Sequence, residues 1–205
     1  MRARIIMISE VTPTTPNDYY YARGNPLFQQ TTVLAFQDAG INVSTTQEIL
    51  ELGVYMTTAV KCGKTEYGLR ISTIKECSHL LERELELFPN LKVIMLMGDV
   101  AIKAINYIAK RNKEPRVIPA GSTYRIRNRE YLFRNMKVFP SYLQAGSSFF
   151  IEKSKRKMIT EDIATAVTYI KKGRNTYKQQ NEWFLTPYLH TNNVLFKEIR
   201  YLGRV

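Results

Sequence analysis

The alternation of strand-like and helix-like segments predicts an α/β fold, a mainly parallel sheet with helices on both faces. Two further observations support it. The strand candidates are short runs of apolar and β-branched residues bounded by polar loops. The helix candidates carry apolar residues at i, i+3, i+4 spacing, and neither internal repeats nor low-complexity tracts interrupt them. At 205 residues the chain is long enough for one well-buried domain and a short appendage.

Arg4 to Ser9 reads as a buried strand rich in Ile and Met. A polar loop rich in Pro and Tyr follows from Glu10 to Pro26, and loops of this length are more often functional or mobile. Leu27 to Ala39 has helical periodicity and ends at Gly40, a residue suited to closing a helix. Thr46 to Leu52 reads as a short helix and Val54 to Val60 as the second strand. Thr73, with Glu76 three residues on, is a capping-box pattern. It opens a helix to about Phe88, stopped by Pro89, with a stripe of Ile74, Cys77, Leu80, Leu81 and Leu85. Leu91 to Met97 is the third strand. Gly98 turns the chain into a helix from Asp99, its expected N-cap, to about Ala109. Arg116 to Pro119 reads as a fourth extended piece. Thr123 to Arg127 and Tyr131 to Val138 read as a hairpin whose second arm ends at Pro140-Ser141. A basic helix follows, from about Lys153 to Lys171. The expected division is a domain over residues 1–171 and an extension over 172–205.

Net charge is +12 and unevenly placed. Residues 1–100 carry 9 Lys and Arg against 11 Asp and Glu, and residues 101–205 carry 21 against 7. So basic a second half suits a polyanion, because neutralised phosphates release condensed counterions. A solvated basic surface is the alternative. No run approaches a membrane span or a signal peptide, so a soluble, cytoplasmic protein with no membrane partner is expected. Two cysteines, Cys62 and Cys77, make no disulfide framework. No glycine-rich phosphate fingerprint and no nucleophile elbow is present, and His79 and His190 lack metal-ligand spacing. These absences count against kinase, esterase and metal-hydrolase chemistry, and no metal site is expected. No oligomerisation seam stands out, so a monomer is expected.

Four stretches fall where a predicted strand ends: residues 8–13, 55–62, 96–101 and 138–142. In an open α/β sheet such loops build one ligand site. Their order and spacing resemble the uracil-DNA glycosylase superfamily, most closely its family 4 enzymes. Ser9-Glu10-Val11-Thr12-Pro13 stands in place of the family's Gly-Glu-Ala-Pro-Gly, and Gly24 to Phe28 in place of Pro-Phe-Val-Gly. Tyr55 to Cys62 matches Tyr-Ile-Thr-Asn-x-Val-Lys-Cys, Cys77 to Leu85 matches Cys-x-x-x-Leu-Glu-x-Glu-Leu, and Leu96 to Ala101 matches a Leu-Gly-x-x-Ala turn. The likeness covers roughly residues 3–170.

This resemblance implies a three-layer α/β/α sandwich around a central four-stranded, mainly parallel sheet. It implies base excision: a nucleotide flipped out of DNA (or RNA), its base seated in a pocket and its N-glycosidic bond hydrolysed. Glu10 would stabilise the oxocarbenium-like transition state and orient the water; a carboxylate that caps a loop or pairs with a base is the alternative. Ser9, Val11, Leu27, Phe28 and Thr58 would form the base pocket. Phe28 stands beside the stacking position, though it also suits a helix core, and Tyr19, Tyr20 and Tyr21 can supply the platform instead. Lys61, Gly98, Ser141, Tyr142, Gly146, Ser147 and Lys153 would meet DNA phosphate, with Lys155, Arg156 and Lys157 extending the positive surface. A solvated Lys61 and a tight-turn Gly98 are the plainer readings.

The chain departs from the family at defined places. Leu143 stands where the motif histidine should be, and leucine cannot donate to a leaving base. Thr58 replaces the base-reading asparagine, a change worth on the order of 1–3 kcal/mol of base discrimination. The family's [4Fe–4S] cluster needs four cysteines, and only Cys62 and Cys77 have counterparts here, so no cofactor is expected. Two other readings remain: a non-catalytic nucleic-acid-binding relative, and a small-molecule N-glycosidase.

Overall fold

Residues 5–8 and 93–97, at the centre of the sheet, are unbroken apolar runs, as expected of strands covered on both faces. The structure, a computed structural model, describes residues 3–63 and 69–172. Its five strands are β1 (Ile5–Thr12), β2 (Val54–Gly63), β3 (Val93–Met97), β4 (Tyr131–Phe133) and β5 (Met136–Ser141). They lie in the order β2-β1-β3-β5-β4. β2, β1, β3 and β5 are parallel, which is the expected four-stranded centre, and β4 adds an antiparallel edge.

Helices α1 (Leu27–Asp38), α2 (Thr46–Glu51), α3 (Ile71–Glu86), α4 (Asp99–Arg111), α5 (Thr123–Ile126) and α6 (153–172) surround the sheet. Side chains alternate along a strand. Ile6 and Ile8 of β1, with Ile94 and Leu96 of β3, join Ile74, Cys77 and Leu81 of α3 and Ile102 and Ile105 of α4 in one core. Their neighbours Ile5, Met7, Met95 and Met97 face the other way and are equally buried, as are Phe36, Ile49, Phe149 and Ile163. β2 is an edge strand, and the Tyr21 hydroxyl closes part of that edge. It donates to the Met56 carbonyl and accepts from the Met56 N–H, both at 3.0 Å.

Several expected elements differ. Residues 116–119 form no strand. Thr123 to Arg127 is not a hairpin arm but the short helix α5, whose Ile126 is buried. The hairpin is made within the second expected arm: Arg134 and Asn135, at φ 48° and 65°, form the two-residue turn between β4 and β5. α3 starts at Ile71 with no side-chain cap, so Thr73 is interior, and Leu80 is exposed. Gly98, not Asp99, is the N-cap of α4. Two units separate by contacts, Met1–Val167 and Thr168–Val205. All but residue 172 of the expected 172–205 extension, and His190, lies outside the described residues.

Candidate functional site

The parallel strands β1, β3 and β5 end together, and the turns that follow them meet at Glu10. Glu10 extends from β1 on the face of α4. Its Oε1 accepts the Val100 N–H at 3.2 Å, in the first turn of α4. Free N–H groups and the helix dipole make that end favourable for a carboxylate. The approach is close because residue 98 has no side chain. A Cβ there would lie 2.5 Å from Glu10 Oε1 and 2.7 Å from its Cδ. Gly98 also has φ 108° and ψ 169°, a conformation open almost only to glycine.

Glu10 lines two hollows. The larger, about 630 Å³, is walled by Val11, Thr12, Phe28, Lys103, Gly146 and Ser147, among others. Its size is within the usual range of small-molecule sites. The smaller, about 240 Å³, is bounded by Gly98, Thr123, Tyr142, Phe149, Lys155 and Arg156. Leu143 and Ser148 border both. Phe28 reaches the larger hollow from α1, and its ring packs against Tyr20 and over Gly146. The Gly146 N–H donates to Thr31 Oγ1 at 3.2 Å, which ties this loop to α1. Lys103 Nζ pairs with Asp99 at 2.5 Å, and that hydrogen bond holds the ammonium above the usual lysine range.

Of the residues expected at the site, Glu10, Val11, Phe28, Gly98, Tyr142, Gly146 and Ser147 come together here. Others do not line it. Ser9 is fully buried on the opposite face of β1, hydrogen-bonded to the Tyr20 hydroxyl and to Gln144. Thr58 is fully buried against Thr12, Oγ1 to Oγ1 at 3.0 Å. Leu27 borders neither hollow. Lys61 is engaged by Glu84 and Thr57. Ser141 is buried and donates to Asp162 at 2.5 Å. Lys153 is exposed on α6. Lys155 and Arg156, at the smaller hollow, pair with Glu152 and Asp38.

The sequence reading missed Thr12, Lys103 and Thr123 as lining residues, whereas Ser148, expected beside Gly146 and Ser147 as a phosphate contact, borders both hollows. Lys103 stands four residues after Asp99 at the start of α4, and that helical spacing was the available signal. It also missed the tyrosine–glutamine cluster beneath Phe28. Tyr20 is fully buried, and burial pushes its hydroxyl well above the ordinary tyrosine range. Gln144 Nε2 donates to that hydroxyl at 3.0 Å.

Cys62 is exposed and Cys77 is buried in the α3 core, and among the described residues no group of three His, Cys, Asp or Glu side chains could hold a metal. Also among the described residues, no helix is long and apolar enough to cross a membrane.

Fold and site together define a three-layer α/β protein with a carboxylate-bearing cleft beyond the carboxyl ends of its parallel strands. The sequence profile of the Uracil DNA glycosylase superfamily matches residues 16–191, and the chain belongs to that superfamily. Its members act on DNA. The match begins after Glu10 and takes in the turns of β3 and β5 that meet it. A search of the curated proteins finds no match.

Proposed function

We propose that this chain is a DNA glycosylase-like protein, resembling family 4 enzymes, that hydrolyses the N-glycosidic bond of uracil or another altered base. The observation that carries this is Glu10, held at the start of α4 and bordering both hollows. A base drawn out of the stack would enter the larger hollow and lie against Phe28, a contact worth about 1–3 kcal/mol. As the C1′–N bond breaks, its electron pair leaves with the base and positive charge develops on the sugar. The Glu10 carboxylate faces that charge, aligns a water for attack on C1′ and takes its proton. Leu143 offers the departing base no donor, so solvent must protonate it.

The test is a panel of labelled oligonucleotides carrying uracil, hypoxanthine, xanthine or mismatched thymine. Abasic sites should form on at least one, and Glu10→Gln should abolish them. No base release from any substrate by the native protein would overturn the proposal. We read the protein as monomeric, cytoplasmic and independent of an iron–sulfur cluster. Iron analysis and sizing of purified protein check the last and the first.

One arrangement favours a second reading, a nucleic-acid-binding relative without turnover. Thr58, which stands in place of the base-reading asparagine, and Ser9, expected in the base pocket, are buried and satisfied by Thr12, Tyr20 and Gln144. That reading predicts salt-dependent affinity for DNA or RNA with no base release.

A further inference from the structure

The basic surface is less available than its charge suggests. Lys61, Lys103, Arg111, Arg127, Arg134, Lys137, Lys155 and Arg156 all pair with carboxylates. Arg125 and Arg129 are exposed, and their guanidinium groups have no ion pair or hydrogen bond among the described residues. Both line a separate hollow of about 500 Å³ with Gly121, Ser122 and Ile126. Tyr124, two-thirds exposed, stands next to Arg125.

We propose that residues 122–129 form a second binding site, for the DNA strand that flanks the nucleotide at Glu10. Arg125 and Arg129 would grip phosphodiester oxygens, and Tyr124 would stack on a base. The proposal rests on the glycosylase-like reading above. The segment is built to present these three groups. Ile126 is anchored in the core. Arg127 turns inward, donating to Asp162 at 2.7 Å, the Met158 carbonyl at 2.9 Å and Glu161 at 3.0 Å. With those two side chains fixed, the outward ones are held without further ordering of the backbone. The segment also adjoins the first site, since Thr123 lines the smaller hollow at Glu10 while Ser122 lines this one. A guanidinium fork matches phosphate geometry, and alternating cations and aromatic faces are how single strands are held without sequence readout.

The experiment is fluorescence anisotropy of the full chain on a labelled single-stranded oligonucleotide, titrated across salt. Replacing both arginines by alanine should lower the slope of log affinity against log salt by about 1.4, two phosphates at about 0.7 each. Tyr124→Ala should weaken binding about 5- to 150-fold, and Tyr124→Phe should restore it. These side chains are exposed, so the variants should melt with the native protein. The control is Lys92→Ala with Lys110→Ala, an equal charge loss at residues that line none of the three hollows, which should leave the slope unchanged. A native slope in the double arginine variant, or an equal fall in the control, would overturn this site while leaving base release by Glu10 untouched. Loss of the slope together with no base release anywhere would keep this site and sink the glycosylase reading instead.

Discussion

Replacing Gly98 by alanine separates two effects at one position. The first is backbone strain: φ 108° with ψ 169° costs a side-chain-bearing residue about 1–3 kcal/mol. For a chain of this size each kcal/mol moves the melting midpoint by roughly 2–4 °C, so a fall of about 2–12 °C is expected. The second effect is local. The new Cβ would sit 2.5–2.7 Å from three atoms of the Glu10 side chain. A carboxylate on a flexible stem moves aside rather than unfolding the sheet, and it leaves the Val100 N–H as it does so. A displacement near 1 Å is worth on the order of 100-fold in a catalytic rate. Stability is read by urea denaturation in a four-member cycle with Glu10→Ala. There the clash is absent, so Gly98→Ala should cost only the backbone part, and the two changes should couple. If Gly98→Ala costs the same in both backgrounds, Gly98 does not make room for Glu10, and the account of the site is wrong. This arm does not depend on turnover. Base release, where the native protein shows it, should fall in parallel.

Arg127→Ala would leave Asp162, whose side chain is 8% exposed, as an uncompensated buried charge, and about 3–5 kcal/mol of stability should vanish in urea denaturation. Burial pushes the Asp162 carboxyl up, while Arg127 and the Ser141 hydroxyl pull it back, so Asp162→Asn should cost less than Arg127→Ala. Tyr21→Phe removes the hydroxyl that serves Met56 at the open edge of β2, at a cost of about 1–3 kcal/mol and with faster exchange of the Met56 amide. Glu82 loses some solvation by burial, yet hydrogen bonds from Arg111 and Arg134 hold its carboxyl below the usual 4.5. Its contribution is therefore complete above pH 4.5 and is lost as the pH falls through its lower folded value. Glu82→Gln should flatten that acid limb of stability against pH.

Much of the architecture was legible because the central strands are buried on both sides and so are rich in apolar and β-branched residues. Val93 to Met97 is an unbroken apolar run, and in Val54 to Val60 the threonines Thr57 and Thr58 add β-branched residues to the apolar ones. The segment from 116 to 136 was harder. Thr123-Tyr124-Arg125-Ile126 has the β-branched and aromatic residues of a strand, yet it folds as a helical turn with Ile126 in the core and Arg127 on Asp162. Those partners lie tens of residues away and leave no local trace. The turn at Arg134-Asn135 was missed because arginine is an unusual residue at positive φ. At the site, Glu10 was legible as a carboxylate at the carboxyl end of the first strand, although β1 runs on to Thr12 and Glu10 lies inside it rather than in the loop that was expected to begin there. Ser9 was placed beside it although adjacent strand residues face opposite sides, so alternation alone argued against a shared cleft. The pairing of Lys61 with Glu84 and of Arg156 with Asp38 joins distant segments, which is why total charge overstated the free basic surface.

The bond from Val100 to Glu10 bears on how any loss of activity should be read. A carboxylate at a helix start is a structural cap, worth about 0.5–2 kcal/mol, and it is also where an anion is best tolerated. Capping uses Oε1 alone; Oε2 has no hydrogen-bond partner among the described residues, and Glu10 borders both hollows. The two roles are therefore compatible in one residue and separable by substitution. Glutamine keeps an oxygen that can accept from Val100 but has no negative charge to set against a developing cation. Alanine removes both. A purely structural Glu10 would make glutamine nearly silent in every assay and alanine costly in stability alone. A residue that also serves the chemistry would make glutamine as inactive as alanine while melting with the native protein.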